Sequence, residues 1–264
     1  MRKGISAVVL AVGFMAAITT AGTAFAAHPL ITDDAGTLGK ENSQFEFVGE
    51  YGVEKEDGVT EKSYEVPTIP FLSYGITDSI DIVFGLPYSS VSVYDGERTS
   101  AVRGITDASI ELKVRLYEKD GLSLAVKPGV SLPTGDDEKG LGNGKISYST
   151  FLITTKEAGP RAFHFNVGYI RNEYKLQAGE DANRKNIWHV SLASQVEVLK
   201  DLKVVVNIGM ERNSDKRSNI DPAFLLGGVI YSITESLDLD AGVKAGLNKP
   251  ETDITYLAGV TKRF

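Results

Sequence analysis

The chain has 264 residues, with 28 basic and 35 acidic side chains and a formal net charge of −7 at pH 7. This acidic balance argues against nucleic-acid binding, which needs a basic face, so we expect no nucleic-acid partner. The absence of cysteine excludes a disulfide framework and thiolate metal sites.

The first 26 residues have the pattern of a secretory signal peptide. Arg2 and Lys3 precede an almost wholly apolar stretch, Ile5–Ala17, and Ala24–Ala26 matches an A-x-A cleavage pattern. A membrane-spanning helix would need about 20 apolar residues, and threonines interrupt this stretch from position 19 onward. Cleavage after Ala26 leaves 26 basic and 35 acidic side chains, a net charge of −9.

From residue 43 onward the dominant pattern is an alternation of apolar and polar side chains. In Ile110–Leu116 the apolar residues occupy the even positions, and Glu111, Lys113 and Arg115 occupy the odd ones. Successive side chains of a β-strand point to opposite faces, so the pattern predicts strands with one apolar and one polar face. Twelve strands are predicted, to within several residues, at 45–51, 61–75, 80–93, 110–116, 122–133, 146–156, 161–174, 186–199, 202–210, 221–233, 237–247 and 253–264.

The connections between these strands alternate between short and long. Tight turns are predicted near 77–79, 119–121, 157–160, 200–201 and 234–236. Longer polar loops are predicted near 54–60, 94–103, 134–145, 176–185, 213–220 and 248–252. Outer-membrane barrels have short periplasmic turns and long external loops, and an even number of strands leaves both chain ends in the periplasm.

These patterns predict an all-β fold for residues 43–264, a single up-and-down antiparallel transmembrane β-barrel of about 12 strands. We place it in the outer membrane of a Gram-negative bacterium, with outer-membrane lipid and the assembly machinery as partners. Phe264 is in phase with the apolar face of the last strand and resembles the insertion signal that this machinery reads. A soluble β-sandwich or lipocalin-like barrel would alternate in the same way, but twelve long strands fit a membrane barrel better.

The polar faces of the strands would line the lumen of such a barrel. They carry both signs of charge, which predicts no strong ion selectivity. The candidate pore-lining residues are Glu46, Glu50, Asp81, Glu111, Lys113, Arg115, His164, His189, Glu197, Lys203, Glu211, Asp238, Asp240 and Lys244.

Catalytic and metal sites are weakly indicated. His189 and Ser191 have the spacing of a base and a nucleophile on one strand face, but that face is the lumen, whereas a lipid-cleaving site should face lipid. The sequence shows no third residue to orient the base, so we predict no enzyme activity. His164 and His189 lack a third metal ligand, and the acidic run 136–138 is more typical of a solvated loop than of a calcium site. We expect no metal and no cofactor.

Three stretches carry a family resemblance. His28–Lys40 followed by Gln44–Phe47, the region Phe71–Tyr88, and Ser131–Asp136 with Gly140–Gly144 resemble the phenol meta-pathway degradation family. The resemblance spans the chain after the signal peptide and implies an outer-membrane transporter-like barrel that moves aromatic or other apolar compounds. It also implies that residues 27–42, with His28, Asp33 and Asp34, return toward the lumen as a plug. A periplasmic tail is the alternative.

Two functions remain open at this stage. The first is a passive channel or transporter for small, aromatic or apolar, solutes. The second is a structural or surface-interaction barrel without an open pore, whose loops at 94–103, 134–145 and 176–185 bind a partner. A twelve-strand lumen is intermediate between filled and open barrels, and Gly85, Pro87, Pro128 and Gly129 are expected to kink the wall.

Overall fold

The computed structural model describes residues 28–56, 59–94 and 97–264, without the side chains of 56 and 64–70. The predicted signal peptide, residues 1–26, lies outside the described residues. In the described part of the chain, no helix is long and apolar enough to cross a membrane.

The described residues form one antiparallel sheet. Its strands are β1 (Ser43–Glu56), β2 (Val59–Thr77), β3 (Ile80–Tyr94), β4 (Thr99–Ile105), β5 (Ala108–Lys119), β6 (Leu122–Leu132), β7 (Ser147–Ala158), β8 (Arg161–Arg171), β9 (Asn186–Leu199), β10 (Leu202–Glu211), β11 (Ala223–Thr234), β12 (Leu237–Gly246) and β13 (Ile254–Arg263).

The sheet closes on itself. β1 pairs with both β2 and β13, β2 pairs with β3, β3 pairs with β5, and from β5 onward each strand pairs with the next. Twelve strands, β1–β3 and β5–β13, complete the ring, and β4 pairs with β3 alone. The predicted barrel and its strand number are confirmed.

The alternating apolar and polar side chains of the strands point to the outside and the inside of the barrel, respectively. On β8, the outward Phe163, Phe165 and Tyr169 are 43–47% exposed, whereas the inward His164 and Asn166 are buried. An apolar belt of this kind continues around the barrel. Soluble monomers rarely expose contiguous apolar surface on this scale, whereas a transmembrane barrel presents it to lipid.

The seam between the chain ends is fully bonded. The β1–β13 ladder runs from Gln44 opposite Arg263 to Val53 opposite Ile254. Beyond it, the amide N–H groups of Ser43 and Phe264 each donate to the other residue's carbonyl, at 3.1 and 2.9 Å. The Phe264 ring stands edge-on to Phe45 at 5.1 Å between centroids. Phe264 therefore closes the ring, and its role as an insertion signal stays a prediction.

Three predicted loops are more ordered than expected. β4 begins inside the predicted 94–103 loop and extends to Ile105, and the 54–60 loop is shorter than predicted because β1 and β2 pair as far as Glu56 and Val59. Helix α1 (Gln177–Ala182) lies in the 176–185 loop. Turn-forming residues in a sequence do not show whether the backbone there still pairs with a neighbouring strand. The predicted loop bounds were therefore too wide.

Both predicted kink regions coincide with changes in strand pairing. Between Gly85 and Tyr88, β3 changes its neighbour from β5 to β4. Pro87 has no N–H to donate, and its carbonyl instead accepts from Thr106 N at 3.0 Å. Pro128 is paired with Thr150 in a continuous β6–β7 ladder, but the β5–β6 ladder has no pairs between Glu111–Gly129 and Val114–Val126.

Candidate functional site in the barrel lumen

The segment from His28 to Leu38 crosses the inside of the barrel. Going along it, the segment contacts β12, β10, β8, β7 and then β3. It leaves at the end of the barrel where β2 turns into β3, since Lys40 N donates to Asp78 Oδ1 at 3.2 Å. We call residues 28–38 the luminal segment.

Side chains of the wall satisfy the backbone of this segment. Asn207 Oδ1 accepts from the N–H groups of Ile31 and Thr32 at 2.8 and 3.0 Å. The Asn166 side-chain amide bonds both backbone groups of Asp33. Its oxygen accepts from Asp33 N at 2.7 Å, and its nitrogen donates to Asp33 O at 2.9 Å. Thr155 Oγ1 accepts from Ala35 N at 2.8 Å. Buried backbone groups need such partners, so the wall is built to hold an extended chain here.

A buried ionic cluster holds the middle of the segment. Asp33 is paired with Lys113 at 2.8 Å and with Lys127 at 2.9 Å, and Lys127 also contacts Glu111 at 3.2 Å. Burial disfavours the ionised form of Asp33, but the positive charges of Lys113 and Lys127 outweigh this and lower the pKa of Asp33 to about 2. Removing either side of such a cluster would leave an unpaired buried charge.

The start of the segment lies against β12 and β13. His28 Nδ1 is hydrogen-bonded to Asp240 Oδ1. A Cβ added to Gly259 would lie 2.7 Å from His28 Nδ1, and one added to Gly242 would lie 3.0 Å from Pro29 Cβ. Glycine at these two wall positions therefore leaves the space that His28 and Pro29 occupy.

Apolar residues of the segment complete buried clusters of the wall. Leu30 packs with Ala193, Val205 and Ile230, and all four are at most 3% exposed. Ala35 is the segment's member of a second cluster, whose wall residues are Ala125, Phe151, Ile153, Ile170 and Ile187. On this side, formed by β7–β12 together with Ala125 of β6, the lumen is a packed core, which we call the packed sector.

The opposite side of the lumen retains a cavity of about 200 Å³ between the segment and the wall. We call this side, formed by β1–β3, β5, β6 and β13, the charged sector. The wall contributes Gln44, Ser73, Asp81, Val83, Lys113, Lys127 and Arg263 to the lining, and the segment contributes Asp33, Asp34, Gly36, Thr37 and Leu38.

The predicted pore-lining residues are spread along the barrel. The buried ones are Glu46, Asp81, Glu111, Lys113, His164, His189, Asp238 and Asp240. Glu50, Arg115, Lys203, Glu211 and Lys244 are half-buried, and Glu197 is exposed at the end of β9. The structure gathers Glu111 and Lys113 around Asp33, and it places Lys203 opposite Glu197 in the ladder. Pore lining as a role stays a prediction for this set.

His189 has the third partner that the sequence did not show. His189 Nε2 lies 3.0 Å from Ser191 Oγ, and His189 Nδ1 lies 3.4 Å from Glu211 Oε2 on β10. Ser191 is only 2% exposed, and the Phe224 ring fills the space over the neighbouring Gly209. A nucleophile needs access to its substrate, and in this structure Ser191 is enclosed in the wall and hydrogen-bonded to His189.

The other candidate sites do not gather ligands. His164 Nδ1 lies 2.9 Å from Thr155 Oγ1, which holds the luminal segment, and is separate from His189. In the external loop, Asp136 pairs with Lys139 at 2.6 Å. Across the described ranges, no three His, Asp or Glu side chains come together as a metal site would require.

Sequence reasoning missed the residues that hold the segment. Lys127, Asn166 and Asn207 are in phase with the polar face of their strands, so their inward direction was readable. Their function was not, because the partner is the segment around Asp33, which is distant in sequence, for example 175 positions between Asn207 and Thr32. Alternation predicts which way a side chain points but not what meets it in the lumen.

The sequence matches a family model described as "Putative MetA-pathway of phenol degradation" over residues 32–264. The chain therefore belongs to this family, as the resemblance implied. No curated protein matches the sequence.

Three solved structures are similar in fold. An outer membrane channel from Pseudomonas putida F1 aligns with a TM-score of 0.70 at 13% identity, over 88% of this chain and 98% of that chain. The NanC porin aligns at 0.55 with 12% identity, over 83% of this chain and 98% of its own. The KdgM porin aligns at 0.52 with 8% identity, over 84% and 99%. At these identities the likeness shows the fold alone.

Proposed function

We propose that this member of the family is an outer-membrane channel through which small polar solutes diffuse passively. The observation that carries the proposal is the cavity of about 200 Å³ between the luminal segment and the wall of a closed barrel. The proposal is consistent with the channel and porins that share the fold. We also propose the outer membrane as its location, which the outward apolar belt supports.

The route for solute follows the charged sector. Leu30, Ala35 and their clusters close the packed sector, and the cavity lies on the other side. The cavity lining includes Asp34, Asp81 and Lys113, which favour a solute that carries charge or hydrogen-bonding groups. The lining also includes Leu38 and Val83, which offer apolar contacts to the aromatic or apolar part of a small solute.

A structural barrel without an open pore is the second candidate. The ion pairs of Asp33 with Lys113 and Lys127 favour it, because they fix the segment across the lumen. External loops also form an ordered surface, in which the Arg184 guanidinium donates to carbonyls of the 213–218 loop, including Asn213 at 3.0 Å and Ser218 at 3.0 Å. A closed lumen and an ordered surface are what a surface-interaction barrel needs.

Single-channel recording with purified protein in planar bilayers separates the two candidates. We expect wild type to conduct in small steps, and Asp33→Ala to conduct in larger or more frequent steps because the segment loses its ionic contacts. Lys139→Gln, in an exposed external loop, is the matched control and should behave as wild type. If neither wild type nor Asp33→Ala conducts, although both proteins shift on a heat-modifiability gel, the result would favour the structural barrel and refute the channel.

A further inference from the structure

The cavity of the charged sector lies at the end of the barrel where β2 turns into β3. Gln44 and Asp81 of its lining are each the second residue of their strand, and Arg263 is the last residue of β13. Gln44, Ser73 and Val83 form one row across β1–β3, because Gln44 is paired with Ser73 and Ser73 with Val83. A solute that crosses the barrel along this sector must therefore pass the next row of inward side chains, two residues farther along each strand.

The next row contains a phenylalanine. Its members on β1–β3 are Glu46, Phe71 and Gly85, and Glu46 is paired with Phe71. Glu46 and Phe71 are both at most 2% exposed. A Cβ added to Gly85 would lie 2.7 Å from Phe71 Cδ1 and 2.9 Å from Ser109 Oγ of β5. The Phe71 ring therefore extends from β2 over β3, and it closes the cavity on the side away from the β2–β3 turn.

A second phenylalanine is placed in the same way in the packed sector. Phe224 is paired with Gly209, and a Cβ added to Gly209 would lie 2.7 Å from Phe224 Cε1. This ring belongs to a buried apolar cluster with Leu226 and Leu257. The lumen at Phe224 would thus stay filled without its ring, whereas Phe71 stands directly beyond the row that lines a cavity.

We infer that Phe71 is the gate of the proposed passage, so that its ring must move aside for a solute and limits the size of the solutes that pass. The inference rests on the proposed channel function and names the residue that sets its size limit. A phenyl ring can change rotamer without breaking a conventional hydrogen bond, and the barrel backbone need not move. Asp33, on the segment side of the lumen, is instead fixed by ion pairs at 2.8 and 2.9 Å.

Single-channel recording in KCl and liposome swelling with arabinose and raffinose test the inference on purified protein that shifts on a heat-modifiability gel. Phe71→Ala should conduct in several-fold larger steps than wild type, because the ring no longer fills its row. It should also raise the swelling rate for raffinose, the larger sugar, more than the rate for arabinose. Phe71→Leu keeps a smaller apolar side chain and should fall between the two. Phe224→Ala, which removes the equivalent ring from the packed sector, is the matched control and should keep the wild-type step size.

Gly85→Ala tests the same ring from the wall side. The added Cβ must displace the Phe71 ring from the wall into the passage, since the Ser109 hydroxyl can rotate away. We expect smaller conductance steps than in wild type. In the Phe71→Ala background, the same Gly85→Ala change should have little effect, because the ring that it would displace is gone.

Wild-type step sizes in Phe71→Ala, or an equal increase in Phe224→Ala, would overturn the gate while the channel stands. A Gly85→Ala effect of the same size with and without the Phe71 ring would do so too. If none of wild type, Phe71→Ala and Asp33→Ala conducts, although all three are folded, the channel itself is refuted, and the gate with it.

Discussion

The two sides of the lumen are built in opposite ways. In the packed sector, Leu30 and Val205 belong to a cluster whose members are 0–3% exposed, as in the core of a soluble domain. In the charged sector, Asp81 and Val83 face a cavity of about 200 Å³. Both sides are formed by β-strands of one sheet, with the same inward alternation of side chains.

The difference arises because the luminal segment divides the lumen into two sides. The luminal segment contributes apolar side chains on one side and carboxylates on the other. Its backbone is held by Asn207 and Asn166 on the packed side, and by Asp81 beside the cavity. Stability should therefore reside mainly in the packed sector and at Asp33, and solute selection in the charged sector.

The largest expected effect is at Asp33, which joins the two sectors. Asp33→Ala leaves Lys113 and Lys127 without their shared carboxylate, and we expect a loss of about 3–5 kcal/mol in the free energy of unfolding. The midpoint of urea unfolding in detergent, followed by gel shift, measures it. A midpoint within error of wild type would mean that the segment is not held by this cluster.

The next effect is at Asn207. Asn207→Ala removes the acceptor of two buried N–H groups, those of Ile31 and Thr32, and we expect a loss of roughly 2–3 kcal/mol. The same unfolding assay applies. Asn186→Ala, at an exposed strand end, serves as the control and should lose less, so equal losses would argue against a specific role for Asn207.

A matched pair of valines compares the two sectors directly. Val205 is fully buried against Leu30, whereas Val83 is 8% exposed and already borders the cavity. Val205→Ala should cost roughly 2 kcal/mol, because two methyl groups are lost and a void forms. Val83→Ala should cost clearly less. A larger loss at Val83 would reverse the assignment of packed and open sides.

The smallest expected effect is that of pH on the Asp33 cluster. The pKa of Asp33 is lowered to about 2 from its ordinary 3.8. Its stabilising contribution is therefore complete above about pH 4 and is lost only as the pH falls through 2. The stability difference between wild type and Asp33→Ala should still be present at pH 5 and be lost only as the pH falls below about 4. A difference already lost at pH 5 would show that Asp33 is not held ionised.

The sequence predicts the inward direction of side chains better than their partners. Glu111 and Lys113 were expected in the lumen from their strand alone, and both are buried there. Nothing in that strand indicated that Asp33 would join them, since residues 27–42 fitted a tail as well as a plug. The Glu211 partner of His189 was missed for the same reason, because it lies on the neighbouring strand.

In the external loops, too, the sequence did not predict which residues make contact. Polar, glycine-rich stretches were expected to be loops, and the 134–145 stretch is one. Its Leu141, however, is 2% exposed against Val91, and its backbone is held by Asp107, which accepts from Gly135 N and Asn143 N at 3.0 and 2.8 Å. Burial disfavours the ionised form of Asp107 and raises its pKa, and these donors act in the opposite direction.

The sequence by itself determined the strand number, the apolar belt and the family, because alternation and turn residues are local patterns that do not depend on distant contacts. Only the tertiary structure decided what fills the lumen. The luminal segment meets side chains from β3, β5–β8, β10 and β12 at once, and those strands are brought together by closure of the barrel. Where the cavity lies, and hence which side we propose as the route for solute, follows from that closure.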